Sequence, residues 1–208
     1  MNHDRLFKEL LTVFFVEFVE AFLPEVALYL APDSIEFLDK EIFTDVTAGE
    51  KHIADLVVKV RFRERDAFFL VHIETQATNK ADFPKRMFTY FAGLHEKYSL
   101  PVYPVVVFSY DAPPKPAPHQ YTVGFPGETV LQLTYKVIQL NRMPWRPFLK
   151  KPNAVASALM AKMKIAPQDR GKVRNECLRM LANLQLDPAR SKLIGGFIDA
   201  YLTLTNAE

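Results

Sequence analysis

Cysteine is almost absent from this chain: Cys177 is the only one in 208 residues. A lone thiol closes no internal disulfide and builds no thiolate zinc cluster, and it fits a reducing compartment, so a cytoplasmic location is expected. An uninterrupted apolar span is lacking too. The most hydrophobic stretch, "LLTVFFVEFVEAFL", is broken by Glu17 and Glu20, and no small-residue cleavage pattern follows it. It reads as a buried amphipathic helix, not as a signal peptide or a membrane span. Nor is there much excess charge, since a net +2 carries no nucleic-acid signal by itself. Internal repeats and low-complexity segments are missing as well.

What is present is apolar: 49% of the side chains are hydrophobic, enough for one sizeable core with a small appended unit. Charge is unevenly spread. Residues 1–50 hold 3 Lys/Arg against 11 Asp/Glu, whereas residues 150–192 hold 10 against 3. A basic C-terminal region suits phosphate contacts, where counterion release favours binding. A solvated helical face explains the same composition and is preferred.

Between residues 5 and 29, Leu6, Leu10, Val13, Phe14, Phe18, Ala21 and Phe22 recur at spacings of three and four, which predicts a helix that Pro24 ends or kinks. "SIEFLDKEIFT" reads as a strand with "TAGE" as its turn, and a hairpin over 53–75 follows. "NKADFPKRMFTYFAGLHEKY" puts Phe83, Met87, Tyr90, Phe91, Leu94 and Tyr98 on one stripe, a helix of about five turns at roughly 3.6 residues each. Pro84 is tolerated in its first turn, where an N–H has no intrahelical partner anyway. "PVYPVVVFSY" has no charge and many β-branched residues, as a strand buried on both faces requires. The prolines of "DAPPKPAPHQ" force a surface loop, and "TVLQLTYKVIQL" supplies a last strand. Helical segments run from Asn153 onward, the last opening at "DP" with Asp187 as its N-cap. This order predicts an α/β core over residues 1–149 and a helical extension over 150–208.

The most informative stretch is "ADLVVKVRFRERDAFFLVHIETQ", residues 54–76. Two apolar runs meet at a charged turn, with acids and an amide at the open end. A two-residue turn at Glu64 and Arg65 sets Asp55 opposite Glu74, and one at Arg65 and Asp66 sets it opposite Gln76. Either way Asp55, Glu74 and Gln76 share a face, while Leu56, Val58, Val60, Phe62, Ala67, Phe69, Val71 and Ile73 share the other. Opposed carboxylates have Cβ atoms about 4.5–5.5 Å apart and repel unless a cation lies between them. Hard oxygen ligands suit Mg²⁺, with Mn²⁺ as a substitute, and leave room for water and a substrate phosphate. Gln76 projects to the same side and is suited to holding the attacking water.

With these residues in place, the chain resembles the PD-(D/E)XK nuclease pattern of an Asp on one strand and Glu-x-Lys or Glu-x-Gln on the next. "HDRLFKELL", "FLDKEIF", "GEKHIADLVVKVR", "FFLVHIETQ", "FPKRMFTYFAGLHEKY", "LPVYPVVVFSYD", "VIQLNR" and "LMAKMKI" together resemble the Rpn family, described as recombination-promoting nucleases or transposases. The resemblance spans nearly the whole chain. It implies a restriction-endonuclease-like mixed sheet flanked by helices, with a C-terminal helical tail, and a metal-dependent DNA endonuclease linked to recombination or mobile elements. By the same resemblance Asp55, Glu74 and the backbone carbonyl of Thr75 are metal ligands, Gln76 stands where most of the superfamily has Lys, and Glu17 is a candidate fourth acid. A neutral amide orients water but brings no positive charge to the transition state.

Lys59, Arg61 and His72 fall on the acid-bearing face by parity, and Lys80, Lys85 and Arg86 open the following helix. Lys59, Lys80, Lys85 and Arg86 are candidate DNA-phosphate ligands, Arg86 first among them. Tyr135 and Trp145 are read as core residues in preference to base-stacking ones. His3, Asp4 and Lys8 match the family's opening block, and Asp4 reads as a residue favourable to the start of a helix. DNA is the expected partner, a homodimer is a natural route to double-strand cleavage, and no membrane association is expected. The alternative is a catalytically inactive module of the same fold that binds DNA or protein.

Overall fold

The structure, a computed structural model, describes residues 3–38, 41–45, 50–53, 55–78 and 80–203, with 41–45 and 50–53 described by backbone alone. The N-terminal apolar periodicity becomes three helices instead of one: α1 (His3–Val13), α2 (Phe15–Phe22) and α3 (Pro24–Ala27). Phe14 leaves helical geometry at φ −122° and ψ 41°, which separates α1 from α2. Pro24 opens α3, at the helical position where its missing N–H is harmless. Phe7, Leu10 and Leu11 of α1 and Phe15, Phe18, Val19 and Phe22 of α2 are buried, as their spacing predicts.

The next strands are β1 (Glu36–Phe37), β2 (Glu41–Asp45), β3 (Glu50–Ile53), β4 (Leu56–Arg61) and β5 (Phe68–Gln76). The single strand expected over 34–44 is therefore two. β1 pairs antiparallel with β4, whereas β2 pairs with β3 in a separate two-stranded sheet. The turn expected at "TAGE" lies outside the described residues except for Glu50. Helix α4 (Phe83–Tyr98) connects β5 to the parallel strand β6 (Val102–Phe108). Its stripe is buried as predicted at Phe83, Met87, Tyr90 and Leu94.

The last expected strand is three: β7 (Gln120–Phe125), β8 (Glu128–Thr134) and β9 (Lys136–Gln139). β7 and β8 form a hairpin around Pro126–Gly127. Gly127 has φ +85°, a conformation Gly adopts without a steric penalty. The main sheet has five strands in the order β1-β4-β5-β6-β9. Helices α5 (Ala154–Leu159), α6 (Arg170–Asn183) and α7 (Pro188–Tyr201) follow. Asp187 caps α7 as expected, accepting from the N–H groups of Ala189 and Arg190 at 3.0 Å each.

The chain forms two compact units that interleave along the sequence and do not divide once near residue 149. Residues 1–27, 109–114 and 139–208 make a helical unit, and residues 28–108 with 115–138 make a sheet unit. In the helical unit, α1 and α2 bury their apolar faces against segments far along the chain. The ring of Phe7 meets Phe197 at 4.9 Å, and Phe22 stacks on Phe148 at 5.1 Å. Asn153 both caps α5, accepting from Ala156 N–H at 2.9 Å, and donates from Nδ2 to the Glu17 carbonyl at 2.9 Å. In the sheet unit, Val57 and Leu70 pack with Tyr90 and Leu94 of α4. Each fully buried aliphatic side chain there contributes about 1.5–3 kcal/mol by removal from water.

Candidate functional site

The register of β4 on β5 pairs Leu56 with Ile73, Val58 with Val71 and Val60 with Phe69. Continued by one residue, this sets Asp55 opposite Glu74, the first of the two registers the sequence allows. The loop is wider than the expected two residues. Phe62 N–H donates to Ala67 carbonyl at 2.9 Å, but Arg63 N–H goes to the Tyr29 carbonyl at 2.7 Å, so pairing stops before residues 64 and 65. The parity of the faces survives because the strand pairing, not the loop, sets it.

The acid-bearing face is not open to solvent along its length. Val57 and Leu70 lie on it beneath α4, and His72 is completely buried with Glu74 only 3% exposed. Burying a carboxylate demands partners, and Glu74 has them. Its Oε1 accepts from the Asp55 N–H at 2.9 Å and lies 3.0 Å from His72 Nε2. Its Oε2 lies 3.9 Å from Arg86 Nη2. Asp55 answers across the strands, where its Oδ2 accepts from Thr75 N–H at 2.8 Å and from Thr75 Oγ1 at 2.7 Å. Gln76 Nε2 donates to the Thr75 carbonyl at 2.7 Å. The structure thus brings Asp55, Glu74, Thr75 and Gln76 into one hydrogen-bonded group at the ends of adjacent strands.

Two atoms of residues beside this group are buried without a hydrogen-bond partner among the described residues, His72 Nδ1 and Arg86 Nε. The Arg86 guanidinium also faces the rings of Phe83 at 5.2 Å and Tyr90 at 6.0 Å. Burial, followed by the negative charges of Glu74 and Asp55, raises the Tyr90 hydroxyl to about 12, with Arg86 opposing.

Of the other sequence candidates in the sheet unit, two are engaged elsewhere and two are exposed. Lys59 pairs with Glu36 at 3.4 Å and Arg61 with Asp33 at 3.6 Å, toward the opposite end of β4. Lys80 and Lys85 are exposed. Glu17 is half-buried on α2 of the helical unit. Tyr135 and Trp145 are buried, as read from the sequence, which leaves neither ring available to a base. The partnership of His72 with Glu74 escaped sequence reasoning, although the two-residue spacing along β5 put both on one face. Tyr90 was visible only as part of an apolar stripe, one turn beyond Arg86.

Among the described residues no set of three or more His, Cys, Asp or Glu side chains is arranged to hold a metal ion. The donors present at the site are two carboxylates and the Thr75 carbonyl, which has a second lone pair beyond the one Gln76 occupies. These are hard oxygens, the class that Mg²⁺ and Mn²⁺ take, with water and substrate filling the remaining positions. No family model matches the chain, and no curated protein or solved structure matches it either. No helix among the described residues is long and apolar enough to cross a membrane.

Proposed function

We propose that this protein is a metal-dependent DNA endonuclease with a restriction-endonuclease-like core, linked to recombination or mobile elements as the Rpn resemblance implies. The observation that carries the reading is the cross-strand link between the acids. Asp55 donates its N–H to Glu74 while its own carboxylate is held by Thr75, so two acids are kept side by side at the end of a sheet. Asp55, Glu74 and the Thr75 carbonyl would hold Mg²⁺. A divalent cation there acidifies a water and offsets charge on phosphate oxygens. Gln76 orients the attacking water, and Arg86 supplies positive charge beside Glu74 that a neutral amide lacks.

The test is plasmid nicking with Mg²⁺ or Mn²⁺, run beside calorimetric metal titration. Wild type is expected to nick only with metal, and Asp55→Ala to abolish nicking while remaining folded. Equal cutting by purified Asp55→Ala would sink the site assignment.

A non-catalytic module is favoured by a different observation: one oxygen of each carboxylate, Glu74 Oε1 and Asp55 Oδ2, already accepts from the chain's own donors, and Arg86 lies beside Glu74. DNA binding that falls steeply with salt, without metal uptake or cleavage, would support that reading.

A further inference from the structure

The helical unit holds a cavity of about 550 Å³, lined among others by Asp111, Asn141, Lys162, Lys164, Arg170 and Tyr201. None of these residues belongs to the carboxylate group on β4 and β5. Three cationic residues and one acid are among the cavity's lining residues. Lys162 Nζ lies 2.6 Å from Asp111 Oδ1 and 5.1 Å from the centre of the Tyr201 ring. The two partners differ in how firmly they are held, since the Lys162 side chain is 9% exposed and that of Asp111 87%. The buried cation is anchored, and the exposed acid is the exchangeable member of the pair.

The rest of the wall is also fixed. The Tyr201 hydroxyl is hydrogen-bonded to His3 Nδ1, and His3 Nε2 lies 2.7 Å from Ser109 Oγ. Arg170 Nη2 donates to the Thr203 carbonyl at 3.2 Å. Asn141 Nδ2 donates to the carbonyls of Asp111 and Pro113 at 3.2 Å each, which fixes which way the amide points. Its Oδ1 is consequently buried with no partner among the described residues. A buried acceptor without a donor is unfavourable, and a ligand N–H or O–H reaching it would supply the missing donor. Lys164 is exposed and has no ion-pair partner among the described residues.

We propose that this cleft binds a small phosphorylated molecule of nucleotide size, whose phosphate displaces Asp111 from Lys162 and also meets Lys164 and Arg170, while an N–H or O–H of the same molecule donates to Asn141 Oδ1. The volume falls within the range of roughly 300–1,000 Å³ typical of small-ligand sites. Phosphate is preferred over carboxylate because Asp111 already offers Lys162 a carboxylate. A phosphomonoester brings more charge and three acceptor oxygens to several cations at once. The proposal concerns the helical unit alone and does not rest on the nuclease reading.

Calorimetric titration of the full chain with deoxyadenosine 5′-monophosphate, inorganic phosphate and deoxyadenosine tests it. The nucleotide is expected to bind at one site, phosphate more weakly, and the unphosphorylated nucleoside not at all. Lys164→Glu, at an exposed position that leaves the fold intact, should weaken the nucleotide about tenfold or more. Asp111→Asn should tighten it several-fold, because the competing carboxylate is gone. A merely structural Asp111–Lys162 pair gives no such opposite signs. No heat with either phosphate probe, or weaker or unchanged binding by Asp111→Asn, overturns the proposal. So does equal or tighter binding of an oligodeoxynucleotide lacking terminal phosphates that responds to the same variants, which would make the cleft a polynucleotide surface.

Discussion

The two units treat buried polarity differently. In the helical unit the buried polar groups are mainly neutral: Asn153 is shared between a helix cap and the Glu17 carbonyl, and Ser109 is hydrogen-bonded to His3. Its charges mostly pair at the surface, as Arg174 does with Asp199 and Arg179 with Glu176. The sheet unit instead buries Glu74 beside a fully buried His72 and draws Arg86 toward it. Neutral buried groups carry a smaller desolvation penalty than charged ones. A buried carboxylate rarely adds net stability, since its desolvation offsets much of the pairing. The contrast sets the two units apart by how they bury charge.

That contrast can be broken most forcefully by truncation after residue 149. If residues 150–208 were a dispensable tail, the remainder would fold. Because Phe7 rests on Phe197 and the Glu17 carbonyl on Asn153, the truncated chain is expected to lose cooperative unfolding of α1 and α2, measured by circular dichroism during thermal melting.

A smaller disturbance separates the units without removing either. Phe7→Ala, at a site with no exposure, should destabilise by about 3–5 kcal/mol, and Leu70→Ala in the sheet unit by about 2–5 kcal/mol. Amide hydrogen exchange should show Phe7→Ala acting chiefly on α7 and Leu70→Ala chiefly on β5 and α4. Uniform loss of protection in both variants would contradict the assignment of Phe7 and Leu70 to different compact units.

The two helix caps sharpen the comparison within one unit. Asn153→Ala should cost about 1–2 kcal/mol in a denaturant melt, because it removes a cap and strips the Glu17 carbonyl of its donor. The exposed cap at Asp187 should cost less when replaced by Ala, about 0.5–1 kcal/mol. Equal losses would mean that the bond to Glu17 contributes nothing.

The smallest effect concerns acid. Burial, then the Lys162 ammonium, lowers His3 from its ordinary 6.5. The unfolded chain therefore binds this proton more readily than the folded one, so the contribution is complete above pH 6.5 and declines as pH falls below it. The melting temperature should drop across that window, and His3→Gln should flatten part of the drop.

Several features were readable locally because they depend only on neighbouring residues. The alternation in β4 and β5 set the pairing parity despite a wider loop, and the stripe on α4 predicted its buried face. Asp187 before Pro188 announced a cap. The β7–β8 hairpin was missed although Pro126–Gly127 signals it, because its outward residues are exposed and lack the apolar run that was sought. Of the candidate site, Asp55, Glu74 and Gln76 were legible from register. The hold of Thr75 on Asp55, the burial of His72 against Glu74 and the approach of Arg86 from α4 were not.

By itself the sequence determined the apolar faces of α4, β4 and β5 and the parity that puts Asp55, Glu74 and Gln76 on one face. Periodicity of 3.6 or 2 is enough for that, since it acts over a few neighbouring residues. Only the tertiary structure decided that the first helices pack with the last, that the acid-bearing face lies under α4, and that Lys162, Asp111, Asn141 and Tyr201 line one cavity. Those outcomes join residues as far apart as His3 and Tyr201, and no local pattern encodes which distant apolar faces will be closest when water is excluded.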